Sequence, residues 1–185
     1  LSDYEFYKMG IVKTPIPSND HIKPFIDNNV EGLWTYYCCG QGYKVSNRFL
    51  AMPTQRTRVI GTQFWKYNIA GFLQWGYNFY NSQGSIRAID PYLITDGEYF
   101  VPAGDCFSVY PGQNGVALET IHLKGFTMAL NDTRAMYLAE SIVGREKLMK
   151  ILESEGEVTF SEYPHTDAWL NGVRDAVNAI IEEGC

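Results

Sequence analysis

The first half of the chain shows two apolar stretches on either side of a helical pattern. Residues 33–39 and 69–77 are rich in aromatic and β-branched side chains and contain no charge, which is typical of strands that are covered on both faces. Between them, apolar residues recur at helical spacing over residues 53–67. The pattern predicts a strand, a helix and a second strand, and the connection is long enough for the two strands to run parallel.

The segments before the first apolar stretch give weaker patterns. Residues 4–11 are rich in strand formers and predict a strand with Asp3 and Glu5 on one face. Residues 15–20 are polar and rich in proline, and they predict a loop.

The second half of the chain changes from loop to helix. Residues 80–117 hold many glycines and prolines and predict an irregular segment, interrupted by a short strand at 107–110. A loop of this length in a compact domain is usually functional or wrongly assigned. The later spacing predicts a helix that is interrupted at Gly144, and a last helix with its cap at Thr166 or Asp167.

The length of 185 residues suggests one domain with an extension. We expect an α/β domain over residues 1–153 and a helical extension over residues 154–185. With 45% hydrophobic and 19% charged residues, the composition excludes a disordered chain. The net charge of −6 is the wrong sign for a surface that neutralises phosphates, so we predict no nucleic-acid partner.

Neither a secretion signal nor a membrane span is evident in the sequence. The first residues lack the basic start and apolar run of a signal peptide, and no stretch reaches the ~20 apolar residues that cross a bilayer. We therefore expect no membrane partner. The sequence does not establish where the protein is located, but the absent signal and the unpaired cysteines favour the cytoplasm.

The four cysteines form no recognisable disulfide or metal pattern. Cys38 and Cys39 are adjacent, Cys106 and Cys185 are isolated, and no C-x-x-C motif occurs. The pattern predicts four reduced thiols, three of them filling the core. It also predicts no zinc site and no cofactor.

Aromatic residues make up 15% of the chain and cluster around the two predicted strands. Trp34 and Tyr36 lie on the first strand, while Trp75, Tyr77 and Asn78 lie at the end of the second. Ligands of parallel α/β sheets and barrels bind at the carboxyl ends of strands. A flat indole face beside an amide suits a sugar ring, so these five residues are candidate substrate-binding residues.

Two interpretations of these aromatic residues remain open. Aromatic side chains commonly fill protein cores. If the strand face with Trp75 points at helices, Trp75 is a core residue and Asn78 is the better pocket residue. If that face points into a pocket, Trp75 is a platform for the sugar, and Gly76 leaves space for the ring to approach.

No pair of titratable residues indicates a catalytic site. A glycosidase needs two carboxyl groups about 5–9.5 Å apart, and no acidic residue follows a predicted strand in such a pair. We expect the carboxylates of the long loop to be solvated; they are Asp90, Asp96, Glu98 and Asp105. We expect surface or capping roles for the three histidines, which are His21, His122 and His165. No catalytic residue is therefore assigned.

Three sequence blocks resemble a known family. They are Leu-Trp-Thr-Tyr-Tyr-Cys-Cys at residues 33–39, Trp-Lys-Tyr-Asn-Ile-Ala-Gly-Phe-Leu-Gln-Trp-Gly-Tyr-Asn at 65–78, and Tyr-Pro-Gly at 110–112. In this order they resemble domain-of-unknown-function family 4091, which closes bacterial proteins similar to glycoside hydrolase family 123. The resemblance covers roughly residues 1–153. After Tyr-Pro-Gly, the chain has His122 and Lys124 where the family usually has an Arg and a Glu.

The resemblance implies the C-terminal strands and helices of a (β/α)8-barrel-like domain, ending in a helical tail. It implies a partial barrel, since a complete one needs ~250 residues. Characterised proteins of glycoside hydrolase family 123 remove N-acetylgalactosamine and carry paired acids on an earlier strand, which no part of this sequence matches. The leading hypothesis is the C-terminal part of a glycoside hydrolase, which forms one wall of a carbohydrate pocket and lacks the catalytic acids.

Two other hypotheses belong to different classes of protein. The chain is a non-catalytic carbohydrate-binding or structural module, or it is an unrelated α/β enzyme that acts through Asp3 and Glu5. In the leading hypothesis the expected partners are a carbohydrate ligand and either the remainder of a larger parent chain or a second copy in self-association.

Overall fold

In a computed structural model of the protein, which describes residues 2–42 and 44–184, most of the secondary structure is helical. The helices are α1 (Tyr4–Lys8), α2 (Lys23–Asp27), α3 (Gln55–Arg58), α4 (Ile60–Lys66), α5 (Ile121–Val143), α6 (Arg145–Leu152) and α7 (Asp167–Gly184). The strands are β1 (Trp34–Tyr36), β2 (Gly71–Leu73), β3 (Val109–Pro111) and β4 (Ala117–Glu119).

The strands β1 and β2 run parallel, as the sequence predicts. Trp34 lies opposite Gly71, and Tyr36 lies opposite Leu73. The helix predicted over residues 53–67 connects them, but it is divided at Val59 into α3 and α4. The strand, helix and strand prediction is therefore confirmed.

A third extended segment lies beside β1 on the side away from β2. Ser18 forms a parallel bridge with Tyr36, and the backbone N–H of Asn19 donates to the Tyr36 carbonyl at 2.9 Å. The predicted loop over residues 15–20 therefore contains a strand-like stretch. Pro15 and Pro17 conceal it in the sequence, because a proline cannot donate to a strand ladder and is tolerated only at a sheet edge.

The two faces of this small sheet are covered differently. On one face, Tyr37 and Phe72 meet edge to face with their ring centroids 4.8 Å apart, and they pack against α4 and α5. On the opposite face, Trp34 and Leu73 remain 40% and 41% exposed. Because side chains alternate along a strand, the sheet has one helical face and one open face.

A second and larger cluster joins α5, α6 and α7 to the end of α4. Its buried members include Trp65, Met136, Leu148, Leu152, Trp169 and Val177. α4 and α5 approach closely, because a Cβ atom on Gly61 would lie only 2.1 Å from the carbonyl oxygen of Ala129. The division of the chain near residue 153 stays a prediction.

The first predicted strand is wrong, because residues 4–8 form the helix α1. The Asp3 side chain accepts a hydrogen bond from the backbone N–H of Glu5 at 3.0 Å and so caps this helix. Tyr4 and Tyr7 share one side of the helix and pack on Phe25. Asp3 and Glu5 therefore do not share a strand face, and the hypothesis of an enzyme that acts through them loses its basis.

The long loop ends in a β-hairpin, of which the sequence predicts only the first strand. β3 pairs antiparallel with β4, whereas only the first of these strands is expected. Asn114 and Gly115 form the turn with positive φ angles of 58° and 78°. The interruption at Gly144 and the cap at Thr166, which accepts from the Trp169 N–H at 3.2 Å, are confirmed. No helix within the described residues is long and apolar enough to span a bilayer.

Candidate functional site

Polar and aromatic residues follow the three parallel segments at one edge of the sheet. Asp20 comes directly after the segment 17–19, Cys38 follows β1, and Trp75 follows β2. The carboxyl ends of parallel strands meet at the same edge, which is where α/β proteins bind ligands. We call this region the strand-end site.

A buried segment at residues 45–49 holds the three strand ends together. The Asn19 amide donates to the Ser46 carbonyl at 2.8 Å, and the Asn47 amide donates to the Cys38 carbonyl at 2.9 Å. Arg48 donates to the Gly76 carbonyl at 3.4 Å. Three consecutive residues thus contact the first, second and third strand ends in turn.

Gln41 connects the first two strand ends. Its side-chain oxygen accepts from the Cys38 N–H at 2.8 Å, and its amide nitrogen donates to Asp20 at 3.3 Å. Asp20 also contacts the His21 ring at 2.8 Å. Burial alone raises the pKa of Asp20, but hydrogen bonds from Ser18, His21 and Gln41 outweigh it and hold this pKa below its ordinary value.

A buried ion pair lies at the third strand end. Arg48 and Asp105 have side chains that are 1% and 0% exposed, with Nη2 of the arginine 3.4 Å from Oδ1 of the aspartate. Arg48 also donates to the backbone carbonyl of Asp105. The indole N–H of Trp75 donates to the other carboxylate oxygen at 3.1 Å. Burial raises the pKa of Asp105, against the lowering effect of Arg48 and of the Trp75 hydrogen bond.

The expectation that Asp105 is a solvated loop carboxylate is wrong. The segment around it runs back along the residues that follow β2: the Phe79 N–H donates to the Cys106 carbonyl at 3.1 Å. A Cβ atom on Gly76 would lie 2.5 Å from the Asp105 carbonyl oxygen. The space beside Gly76 is therefore filled by the protein backbone, and the interpretation that it admits a sugar ring is also wrong.

Trp75 stands in this site as a half-buried side chain. Its ring centroid lies 5.7 Å from that of Phe79 and 6.2 Å from that of Phe100. Phe79 directly precedes the long loop and Phe100 lies within it, so Trp75 does not pack wholly against helices. Tyr77 and Asn78 follow it and are exposed.

The other two predicted site residues lie on the open face of the sheet. The Trp34 ring covers Gly71, where a Cβ atom would lie 2.3 Å from the indole, and Tyr36 is half-buried. The five candidate residues thus form two groups, one beyond the end of β2 and one on the face of β1. Their joint role in one pocket stays a prediction.

His122 has neither a surface nor a capping role, contrary to expectation. It is 8% exposed, and its Nε2 lies against the backbone of Gly104. Burial, together with the positive charge of Arg48, lowers its pKa to about 4. His21 and His165 are exposed, as predicted.

The cysteines are less buried than predicted. Cys106 is fully buried, and burial raises its pKa to about 11. Cys38 is half-buried and Cys39 is exposed, so these two are not core fillers, and Cys185 lies outside the described residues. Over residues 2–42 and 44–184, no three His, Cys, Asp or Glu side chains are grouped so that they could hold a metal ion.

Sequence reasoning missed Gln41, Asn47 and Arg48. The available signal was the polar run Ser-Asn-Arg between Val45 and Phe49, placed soon after a strand end. Polar residues enclosed by apolar ones near a strand end indicate buried hydrogen bonding to the backbone.

A comparison with protein families gives one match. Residues 1–139 match the family model described as glycoside hydrolase 123, catalytic domain. Because the match covers most of the chain, the protein belongs to this family and contains a glycoside hydrolase-like region. The similarity to glycoside hydrolase family 123 is thus confirmed. No curated protein matches the chain.

Proposed function

We propose that this chain is the C-terminal part of a glycoside hydrolase, corresponding to domain-of-unknown-function family 4091, and that it forms one wall of a carbohydrate pocket without the catalytic acids. The observation that carries the proposal is the position of Trp75. Its half-buried indole lies beyond the carboxyl end of β2, with one edge held by a buried carboxylate. Ligands of barrel enzymes bind at this end of the strands.

The proposed architecture is part of a (β/α)8 barrel. Three parallel segments with helices on one face support it. In a barrel the face opposite the helices points inward, and here that face carries Trp34, Tyr36 and Leu73. The remainder of a larger parent chain, or a second copy, would cover it.

The proposed ligand is an N-acetylhexosamine, the class that the family resemblance implies. Trp75 would stack on the apolar face of the ring, and Tyr77 and Asn78, both exposed nearby, would contact its hydroxyl and amide groups. Trp34 and Tyr36 would line the inner face below.

The two carboxylates at the strand ends, Asp20 and Asp105, support the absence of catalytic acids. A general acid needs both access to the leaving group and a raised pKa. Asp105 has a raised pKa but its side chain is 0% exposed, whereas Asp20 is accessible but has a lowered pKa. Neither suits the acid of a glycosidase, and their environments support a binding role for this wall.

The alternative function is a non-catalytic carbohydrate-binding or structural module. The same two carboxylates favour it, because a module without turnover needs no general acid and neither Asp20 nor Asp105 suits that role. Hydrolysis by the intact parent protein separates the two, since only the first function requires it.

The proposal is tested by titrating the purified chain with N-acetylgalactosamine in a calorimeter. We expect Trp75→Ala to lose at least about tenfold in affinity, or about 1.4 kcal/mol. The variant should stay folded, with a loss of stability below that of a core tryptophan, although it gives up the ring contacts and the hydrogen bond to Asp105. Tyr99→Ala is the matched control, because this loop aromatic is 96% exposed and should bind like the wild type. Equal affinity in the wild type and Trp75→Ala, or no binding by the wild type, would contradict the proposal. A loss of about 3–5 kcal/mol of stability in Trp75→Ala would instead identify a core residue.

A further inference from the structure

We propose that Asp105, held from behind by Arg48, is the positioning residue that fixes the ring orientation of Trp75 at the strand-end site. This inference rests on the proposed function, in which Trp75 stacks on a sugar. It gives a role in sugar binding to a loop carboxylate that itself has no access to a ligand.

The orientation of an indole ring depends on what holds its two edges. The apolar side of Trp75 contacts the rings of Phe79 and Phe100, at centroid distances of 5.7 and 6.2 Å. Such ring contacts tolerate a range of tilts. The hydrogen bond from the indole N–H to Asp105, at 3.1 Å, has a defined direction. It therefore selects one tilt and with it the ring face that is presented to a ligand.

One arginine lies against both the side chain and the backbone of Asp105. Arg48 lies 3.4 Å from its carboxylate and also donates to its backbone carbonyl. A buried carboxylate without a positive partner is costly, so the arginine keeps Asp105 in place and favours its charged form. A charged acceptor binds the indole N–H more strongly than a neutral one.

Arg48 connects this anchor to the sheet. Asn47, the residue before it, binds the carbonyl after β1, and Arg48 binds the carbonyl of Gly76 after β2. The Arg48 guanidinium also lies 5.7 Å from the centre of the Tyr37 ring. The position of Trp75 is thus tied to the strand ends, although Trp75 lies on an irregular segment.

The chain contains a matched pair that serves as a control. Trp65 donates its indole N–H to the Glu140 carboxylate at 2.7 Å, within the helical cluster and outside the strand-end site. Both tryptophans donate to a carboxylate, at 3.1 Å for Trp75 and 2.7 Å for Trp65, and only Trp75 lies at the proposed sugar pocket.

The test is nuclear magnetic resonance of the ¹⁵N-labelled chain, combined with calorimetric titration by N-acetylgalactosamine. The Trp75→Phe variant identifies the Trp75 indole resonance by its disappearance. In the wild type, we expect this N–H to exchange with solvent far more slowly than free indole. Exchange as fast as that of free indole would overturn the inference without any substitution at Asp105.

Two variants at the anchor complete the test. Asp105→Asn keeps an acceptor but loses the charge, and we expect a shifted Trp75 resonance and a several-fold loss of affinity. The double variant Arg48→Met with Asp105→Leu replaces the buried pair by apolar groups, a change that often preserves folding. It removes the acceptor entirely, so we expect at least a tenfold loss of affinity. Glu140→Gln should shift only the Trp65 resonance and leave sugar binding unchanged.

The outcomes separate this inference from the proposed function. If the wild type binds the sugar and a folded anchor variant binds it equally well, only the positioning role of Asp105 is wrong. If the wild type binds no sugar, the proposed function fails and the inference fails with it.

Discussion

Arg58 on α3 and Asp132 on α5 form a two-point ion pair in which Nε lies 2.6 Å from Oδ2 and Nη2 lies 3.1 Å from Oδ1. Arg174 on α7 donates to the same carboxylate at 2.9 Å. The Asp132 side chain is only 6% exposed. A single carboxylate therefore joins three helices of the layer that lies behind the sheet.

Replacing Asp132 by alanine should cost about 3–5 kcal/mol of the free energy of unfolding, because it leaves two arginines without their buried partner. Urea denaturation of the purified chain measures this loss. Glu146→Ala is the control: Glu146 pairs with Lys150 on the surface, and its loss should change the stability by less than about 0.5 kcal/mol. Similar values for the two variants would contradict the structural role of Asp132.

Two helical glycines should respond oppositely to alanine. At Gly61 the new Cβ would lie 2.1 Å from the Ala129 carbonyl oxygen, and separating the α4 and α5 backbones should cost about 1–3 kcal/mol or more. At Gly172 in α7 a Cβ meets nothing within 4 Å, so alanine should stabilise the helix by about 0.5–1 kcal/mol. Thermal unfolding of the two variants and the wild type measures both changes in stability. A stable Gly61→Ala would show that the helices do not cross this closely.

His122 should make the stability of the protein fall in mild acid. Burial and Arg48 lower its pKa to about 4 from an ordinary value of 6.5, so between these values the unfolded chain binds a proton that the folded chain does not. Stability should therefore decrease as the pH falls from about 6.5 to 4, and protonation of His122 should account for about 3 kcal/mol of that decrease. Below pH 4 His122 should cause no further loss of stability.

The contribution of His122 is isolated by comparing the wild type with His122→Gln, which cannot be protonated. The difference in free energy of unfolding between the two should change across this pH range and be constant outside it. A constant difference from pH 7 to pH 4 would mean that the histidine is accessible to protons in the folded state.

The sequence predicts the parallel strands and the long helices because their signals are local. Residues 33–39 and 69–77 are free of charge and rich in aromatic and β-branched side chains, and Thr166 supplies an ordinary helix cap. The helix α1 is missed because Tyr4 and Tyr7 also favour strands, and only the Asp3 cap and their three-residue spacing separate the two structures.

The candidate site is harder to predict, because its contacts join residues that are distant in sequence. Arg48 meets Asp105 across 57 positions, and Trp75 meets it across 30. A glycine beside an aromatic residue suggests space for a ligand, yet the structure fills the space at Gly76 with backbone. The position of Trp75 after an apolar strand marks it as a candidate in the sequence. Nothing in the sequence indicates that Asp105 and Arg48 lie beside it.

The cysteines should all be thiols, and their reactivity should follow their exposure. Titration of the denatured chain without reductant should find four free thiols. In the folded chain the exposed Cys39 should react with an aromatic disulfide reagent long before Cys106, which is buried and whose pKa is raised to about 11. Two or fewer thiols in the denatured chain would point to an oxidised pair and an oxidising compartment.

The chain alone should not hydrolyse glycosides. Two carboxyl groups must flank the scissile bond, and the two at the strand ends are unsuited to this: Asp105 is enclosed with Arg48, and Asp20 is bound by His21 and Gln41. The purified chain should therefore release no more aryl alcohol from an aryl N-acetylhexosaminide than buffer does. The control is Asp20→Asn, which should give the same background rate as the wild type. Robust turnover by the wild type that is lost in Asp20→Asn would identify Asp20 as a catalytic residue. It would contradict the proposal that this chain forms a wall of the pocket without catalytic acids.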